Sequence, residues 1–374
     1  MKKSMIMNSL ALSLIACLAP LGCGEKEGSE LNAVGESNAW YQQRVTTTGA
    51  APIAMQSADS PNFLDVRGVG DSGVDLTNLA NIPAYWAADL SFMNFESVVA
   101  ESCSQRNPGV DFYFRSSKEE VRKAHRAGFN LFSVANNHAR DCFTPYGPSA
   151  TEASMEELMS ELPILWHGTA ADNPYEARVA SFEIKGREVK VAMAAVTIQN
   201  WSMEGTAQIV LGRGENANKP EIKQLLSSLQ QADADFRILS IHTQDSSNSR
   251  YEGPAVKTLK SLAQTFITSY NGNLVFGHGP HTQAGVKVVE RNDGRRGVVF
   301  TSLGNFLHPT LAAHGDNYLG RAVFDLENGM NLKAVQSFPL SNVASPSIRF
   351  NRPNVAPKSN FDWQKGNSSF YASF

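Results

Sequence analysis

Two short loops, far apart in the chain, carry side chains of the kinds that bind metal ions. The first loop reads Ala-Asn-Asn-His-Ala-Arg-Asp over residues 135–141, and the second reads Gly-His-Gly-Pro-His over residues 277–281. Imidazole, carboxamide and carboxylate groups are ligands that divalent cations accept. The glycines and the proline of the second loop indicate a tight turn, which would hold its two imidazoles close together. Together the loops predict a metal site.

The segments before these loops predict where the site lies. Residues 131–134 and 274–276 are short apolar runs, the pattern of buried strands that carry polar residues at their carboxyl ends. Three further candidate strands, over residues 63–69, 90–94 and 236–241, lead into Asp71, Glu96 and His242. We therefore expect these side chains to converge at one edge of a sheet.

The remaining pattern alternates strands with helices. Helices are predicted from Ser117, in a capping box with Glu120, to about Arg126, and from another such box at Ser149 to about Leu162. Two more begin at Pro220 and Pro254, and hairpins are predicted around residues 185–186 and 292–294. This order is typical of an α/β fold.

Composition limits the class of protein. The chain has 374 residues, of which 42% are hydrophobic, enough for one large domain or two modest ones. Its net charge of −3 favours neither a nucleic-acid partner nor general polyanion binding, although a local basic patch stays possible.

The first residues predict a targeting segment. Lys2 and Lys3 precede an apolar stretch, and Leu-Ile-Ala-Cys over residues 14–17 fits a lipoprotein cleavage box. We predict a signal peptide over residues 1–16, lipidation at Cys17 with Cys23 as the alternative, and a flexible tether over residues 17–60. The protein would then be anchored to a bacterial membrane outside the cytoplasm; ordinary secretion is the next alternative.

The motifs in their order resemble a known family. They are Gly70-Asp71, Asn94-Phe95-Glu96, the 135–141 and 277–281 loops, Ser240-Ile241-His242 and Ser302-Leu303-Gly304-Asn305-Phe306. Together they resemble the bacterial capsule synthesis protein CapA family, which is linked to poly-γ-glutamate biosynthesis and is similar to calcineurin-like metallophosphatases. The resemblance covers roughly residues 61–310 and implies a metallophosphatase-like multi-layer α/β sandwich with mixed central sheets. Residues 311–374 would form C-terminal strands and a tail that pack on it.

The resemblance also implies roles for individual residues. His138 would donate a proton to the leaving group and Asp141 would orient it, while Asn136 and Asn305 would contact substrate. One or two divalent ions, Mn, Fe, Zn or Mg, would be held by Asp71, Glu96 in a bridging position, Asn137, His242, His278 and His281. Two choices stay open on the residues alone: Asn136 could be the ligand instead of Asn137, and Asp75 could replace Asp71.

The implied function is a metal-dependent hydrolase, cleaving a phosphoester or γ-amide bond, in the assembly of capsule or another surface polymer. Its partners would be an anionic polymer or a phosphoester, and capsule-assembly proteins. Metallophosphatases usually open with Asp-x-His, but Asp71 is followed by Ser72 and Gly73. This departure favours the alternative of a non-catalytic polymer-binding or export component. A stand-alone phosphoesterase with a small substrate is a third possibility.

Four residues outside the motifs complete the expectations. An even number of cysteines outside the cytoplasm predicts a disulfide between Cys103 and Cys142, and two buried free thiols are the alternative. His125 and His167 lack the setting of the other histidines, and we expect both on the surface.

Overall fold

The computed structural model describes residues 60–76, 79–81, 84, 86–108, 112–169, 175–199, 210–212, 217–243, 253–282, 284–307, 317–341, 349–350, 356–357 and 370–373. The expected signal peptide, both candidate lipidation cysteines and the tether up to residue 59 lie outside these residues. Within the described part, no helix has the length and apolar character needed to cross a membrane.

The described elements alternate as the sequence predicts. The strands are β1 (Phe63–Ser72), β2 (Leu90–Phe95), β3 (Val98–Val99), β4 (Gln105–Arg106), β5 (Arg115–Ser116), β6 (Leu131–Ser133), β7 (Cys142–Thr144), β8 (Leu165–His167), β9 (Arg178–Ile184), β10 (Arg187–Gln199), β11 (Val210–Gly212), β12 (Phe236–Thr243), β13 (Leu274–His278), β14 (Val286–Glu290), β15 (Arg296–Phe300), β16 (Asn317–Asp325), β17 (Asn331–Ser341), β18 (Arg349–Phe350), β19 (Ala356–Pro357) and β20 (Phe370–Ser373). The helices are α1 (Lys118–Arg126), α2 (Gly147–Glu161), α3 (Pro220–Gln231) and α4 (Pro254–Ser269).

Two large mixed sheets form the centre of the fold. The first has the order β19-β20-β17-β16-β1-β2-β6-β8, with β18 beside β17. The second has the order β11-β10-β12-β13-β15-β14, with β9 beside β10. In the first sheet β1, β2, β6 and β8 run parallel, and in the second β10, β12, β13 and β15 do. The C-terminal strand β16 pairs antiparallel with β1.

Three hydrophobic clusters show how the layers stack. One lies between the sheets and contains side chains of both, such as Phe92 and Phe276, whose rings stack with centroids 4.4 Å apart. A second joins α1 and α2 to the outer face of the first sheet, and a third joins α3 and α4 to the outer face of the second. The expected multi-layer α/β sandwich with mixed sheets is therefore confirmed, in the order helix, sheet, sheet, helix.

Both predicted capping boxes are wrong. Helix α1 begins after Ser117, but the Ser117 side chain makes no capping hydrogen bond. The Glu120 carboxylate accepts from Leu76 N and from Lys123 Nζ rather than from the Ser117 amide. Helix α2 begins at Gly147, earlier than predicted, with Pro148 in its first turn. A proline is favourable there because its fixed φ suits a helix start and no amide hydrogen bond is lost.

The prediction that His167 lies on the surface is also wrong. It ends β8 and is only 2% exposed. Its Nδ1 accepts a hydrogen bond of 3.0 Å from the backbone N–H of Ala195 in β10, and its Nε2 lies 3.0 Å from the carbonyl oxygen of Glu176. The neutral ring therefore links the edge of the first sheet to the second sheet.

This buried ring predicts a pH-dependent loss of stability. Burial lowers the pKa of His167 from 6.5 to about 4, and Arg178 adds repulsion. The unfolded chain therefore takes up this proton at a higher pH than the folded chain, so the free energy of unfolding decreases as the pH falls through this interval. Between about pH 7 and pH 4, the free energy of unfolding of the wild type should fall by about 3 kcal/mol more than that of His167→Gln. Denaturant titrations at the two pH values measure the free energy of unfolding of both proteins. An equal decrease in the two would contradict a buried, neutral His167.

Candidate metal centre

Asp71 lies at the carboxyl end of β1 and is fully buried. Its Oδ1 accepts a hydrogen bond of 2.7 Å from Asn94 Nδ2. The backbone N–H of Gly279 donates to Oδ1 and Oδ2, over distances of 3.2 and 3.0 Å. Burial alone would raise the pKa of Asp71, but the hydrogen bond and charge of His281 hold that pKa well below its usual range. Asp71 is therefore a fixed negative charge at the edge of the sheet.

Two glycines let the backbone segments around Asp71 approach one another closely. A Cβ on Gly70 would lie 1.8 Å from the carbonyl oxygen of Gly304, and one on Gly279 would lie 1.9 Å from that of Thr243. Gly279 also has a φ of +100°, which other residues rarely adopt. The glycines quoted in the motifs are thus required by the packing of the loops.

His242 and His278 form a buried pair at the ends of β12 and β13. Their Nδ1 atoms lie 2.9 Å apart. Burial lowers the pKa of His278 to about 4 and that of His242 well below its usual value, so both rings are neutral. Two ring nitrogens that face each other at this distance need a proton or a cation between them.

Ser240 fixes the orientation of His278. The Ser240 hydroxyl donates a hydrogen bond of 2.8 Å to Ser133 Oγ of the first sheet. The Ser240 oxygen also lies 2.6 Å from His278 Nε2. Because the hydroxyl proton is used toward Ser133, the oxygen accepts from Nε2–H of His278. This tautomer leaves the lone pair of the ring on Nδ1, which faces Asp71 Oδ1 at 3.8 Å.

His281 reaches Asp71 from the turn after β13. Its Nδ1 lies 2.9 Å from Asp71 Oδ2 and 2.9 Å from Asn305 Oδ1. Burial lowers its pKa, but the carboxylates of Glu96 and Asp71 outweigh this and raise it to about 9. The backbone of His281 has a φ of +57°, a strained conformation of the kind found at functional sites.

Glu96 approaches the same place from the end of β2. It is 1% exposed, and its Oε1 lies 3.8 Å from His242 Nε2 and 4.0 Å from His138 Nε2. Burial and the negative charge of Asp71 raise the pKa of Glu96 well above its usual value.

The structure distinguishes the two asparagines of the first loop. Asn136 is fully buried; its Oδ1 accepts from His138 N and its Nδ2 donates to the carbonyl oxygen of Phe95. The Asn137 Oδ1 is buried and has no hydrogen-bond partner among the described residues. Asn136 therefore shapes the loop, whereas Asn137 carries the oxygen that is available to a ligand.

His138 is held by the acid three residues later. The Nδ1 of His138 lies 2.7 Å from Asp141 Oδ2. The same oxygen also accepts a hydrogen bond of 2.7 Å from the backbone N–H of Phe114. The Phe114 ring lies 4.2 Å from the imidazole, centroid to centroid. Burial raises the pKa of Asp141, although His138 opposes this. The ring is thus fixed with its Nε2 on the side of Glu96.

The side chains fall into two groups that could each hold a metal ion. One contains Asp71, His242 and His278, and the other contains Asp71, Glu96 and His281; within each group the ligand atoms lie within 4.8 Å of one another. The carboxylate common to both is Asp71, whereas the resemblance gives the bridging position to Glu96. The alternative residue Asp75 is exposed and belongs to neither group.

The donors fit a divalent cation. They combine imidazoles, two of which (His242 and His278) are neutral, with carboxyl groups and the unsatisfied Asn137 oxygen, a set suited to Mn, Fe, Zn or Mg. Buried polar atoms are nearly always satisfied in proteins, so the unsatisfied carboxamide oxygen of Asn137, the residue before His138, is a separate sign of a ligand. The residues support a metal without specifying which one or how many.

Sequence reasoning missed three residues that support this site: Asn94, Phe114 and Ser240. Ser240 could have been found, because it lies two positions before His242 and alternate residues of a strand share a face. Asn94 could have been found by the same rule from Glu96. Phe114 gives no signal in the sequence, because it reaches His138 only through the fold.

A disulfide joins Cys103 and Cys142, whose Cα atoms lie 5.7 Å apart. It lies beside the short antiparallel pair of β4 and β7. The two cysteines follow the segments that carry Glu96 and His138, so the bridge connects both sides of the candidate centre.

Removing this bridge should destabilise the protein. A closed loop spanning a sequence separation of 39 restricts the unfolded chain, and Cys103→Ser with Cys142→Ser should lower the free energy of unfolding by about 2–4 kcal/mol. Denaturant unfolding with and without reductant measures the effect. Reductant should destabilise the wild type and leave the double variant unchanged; an insensitive wild type would contradict the prediction.

Comparison with known proteins gives the family. Residues 77–310, well over half of the chain, match the family described as bacterial capsule synthesis protein PGA_cap. The chain belongs to this family. The suspected CapA resemblance is therefore confirmed. The matched segment of this capsule synthesis protein contains Glu96, both polar loops and His242, whereas Asp71 lies shortly before it.

Other comparisons are more distant. A hypothetical protein from Thermus thermophilus is 15% identical with a TM-score of 0.43, over 74% of this chain and 98% of that one. GAP50, the anchor in the inner membrane complex of Plasmodium, is 11% identical with a TM-score of 0.33, over 81% and 90% respectively. No curated protein matches the chain.

Proposed function

We propose that this capsule synthesis protein is a metal-dependent hydrolase that cleaves a phosphoester or γ-amide bond during assembly of an anionic surface polymer. The observation that carries the proposal is the pair of ligand groups sharing Asp71, with the His138–Asp141 pair beside them. A polymer-binding role alone would not need a half-buried imidazole supported by a buried carboxylate at the edge of the candidate metal site.

Each residue has a part in this proposal. Asp71, Glu96, Asn137, His242, His278 and His281 would hold the cation. A divalent cation in such a site lowers the pKa of a water molecule and offsets negative charge that develops on the substrate. Ser240 orients His278, and Asn305 orients His281.

His138 would move the proton. Asp141 accepts a hydrogen bond from its Nδ1–H and orients the ring, so that Nε2 would deliver the proton that the leaving oxygen or nitrogen needs. His138 Nε2 lies 4.0 Å from Glu96 Oε1. The proton would therefore be next to one of the ligand groups, where a bound substrate would contact it.

The alternative function is a non-catalytic component that binds or exports the polymer. The missing imidazole after Asp71 favours it, since Gly73 stands where the Asp-x-His motif of metallophosphatases carries the histidine. This alternative predicts polymer binding without turnover.

One experiment separates the two functions. Metal analysis of the purified chain is followed by assays on a phosphodiester, a phosphomonoester and poly-γ-glutamate after addition of Mn, Zn, Fe or Mg. Turnover that a chelator removes and the cation restores supports the hydrolase. Metal and polymer binding with no turnover of these substrates would establish the alternative.

We propose further that the protein is lipid-anchored outside the cytoplasm. The support is the sequence of residues 1–23, with basic Lys2 and Lys3, an apolar stretch and a lipoprotein box ending at Cys17. Mass spectrometry of the mature N-terminus should find diacylglyceryl-modified Cys17, or Cys23 as the alternative. An unmodified N-terminus at another residue would refute the anchor.

A further inference from the structure

A cavity lies at the opposite edge of the second sheet from the metal centre. Its volume is about 280 Å³, and its lining includes Ala234, Asp235, Arg237, Arg291, Arg295 and Gly329. Arg237 is near the start of β12 and His242 near its end, so about 17 Å of strand separates the cavity from the centre.

Positive charge is concentrated at this cavity. Three guanidinium groups line it, against the carboxylate of Asp235 and that of the adjacent Asp293. Asp293 Oδ2 accepts from Arg291 Nη2 at 2.8 Å and from Arg295 Nη2 at 2.7 Å, so one carboxylate oxygen serves two of the arginines. The cavity therefore keeps an excess of positive charge.

The arginines are held rigidly by the backbone. Arg237 donates through Nε to the carbonyl oxygen of Leu229 and through Nη2 to that of Ala232, at the end of α3. Arg295 Nη1 donates to the carbonyl oxygen of Gly329. Because the guanidinium groups are already fixed, a ligand would bind without the entropic cost of ordering them.

Arg291 has a buried donor that nothing in the described part of the chain satisfies. Its side chain is 5% exposed, and its Nε has no hydrogen-bond partner among the described residues. Burial lowers the pKa of Arg291, and the charges of Arg295 and Arg237 contribute to this. A buried cationic N–H without an acceptor is costly, and Arg291 carries it at the lining of a cavity that two further arginines share.

We propose that this cavity binds an oxyanion, a phosphate or a carboxylate group. Guanidinium groups bind both through paired, charge-assisted hydrogen bonds. The oxygens of the anion would accept from the guanidinium groups that line the cavity, and its charge would offset the mutual repulsion of the arginines. The site is independent of the metal centre and of the hydrolase proposal.

Calorimetry on the full chain tests this proposal. The probes are inorganic phosphate and, in a separate arm, a short γ-glutamyl peptide, at low salt. Arg291→Lys keeps the charge but lacks the Nε–H, and should weaken binding at least about tenfold. Ala234→Glu should abolish binding, because it places a carboxylate in the cavity. Lys223→Gln, on the exposed side of α3, removes a charge elsewhere and should change affinity less than about twofold.

The metal centre is a second place where phosphate could bind, and Asp71→Asn identifies it. Phosphate bound there is lost in Asp71→Asn and unaffected by the cavity variants. Binding of either probe that is lost in Ala234→Glu and retained in Asp71→Asn supports the cavity site. Absence of binding by both probes at millimolar concentration, or equal affinity in wild type, Arg291→Lys and Ala234→Glu, would overturn it.

Discussion

Replacing Asp71 by Asn is expected to remove metal from both ligand groups at once. The two groups share only this residue, and its carboxylate contributes a full negative charge that an amide cannot supply. Loss of a residue that merely supports a ligand commonly weakens metal binding 10–100-fold, so loss of this shared ligand should weaken it at least about a hundredfold. Metal per chain, measured by mass spectrometry after dialysis, should approach zero.

Two variants serve as matched controls for Asp71→Asn. His281→Ala removes a member of the second group alone, and His242→Ala removes a member of the first alone. If two ions bind, each control should keep about one of them. Circular dichroism and thermal unfolding establish that the variants fold. Retention of full metal in Asp71→Asn, with loss in either control, would contradict the shared position of Asp71.

The position of the candidate centre could be predicted from the sequence, because short apolar runs followed by polar residues are typical of parallel strands. β1, β2, β6, β12 and β13 all lie where such runs predict them. Helices α3 and α4 begin at the predicted prolines, Pro220 and Pro254. These signals are local: each depends on residues that are neighbours in the chain.

The relations between the ligands could not be predicted, because they depend on contacts between distant segments. The sequence allows either Asn136 or Asn137 as the ligand. The contact of Asn136 with the Phe95 carbonyl, and the lack of a partner for the Asn137 oxygen among the described residues, favour Asn137. Asp71 is the carboxylate common to both groups because His281, in the turn after β13 of the second sheet, contacts it. The sequence does not indicate that His167 is buried, because its hydrogen-bond partners, Ala195 and Glu176, belong to segments that come later in the chain.

His138→Ala is expected to abolish catalysis without emptying the metal centre. Donation of a proton to a leaving group contributes about 10²–10⁴-fold to a rate, so turnover of a substrate whose leaving group needs that proton should fall by this factor. His138 is in neither ligand group, so the metal content of the variant should match that of the wild type. His125→Gln, on α1, is the control for removal of an imidazole and should keep both activity and metal.

Asp141→Asn tests the mechanism behind this effect. Asp141 Oδ2 accepts hydrogen bonds from both His138 and the Phe114 amide, and an asparagine whose oxygen replaced Oδ2 could keep both contacts but not the negative charge. The imidazole would lose its ionic partner, so turnover should fall again while metal content stays constant. A substrate with a good leaving group needs little protonation, and both variants should hydrolyse it at nearly the wild-type rate. If His138→Ala lost metal as His281→Ala does, His138 would have to be a ligand rather than the proton donor.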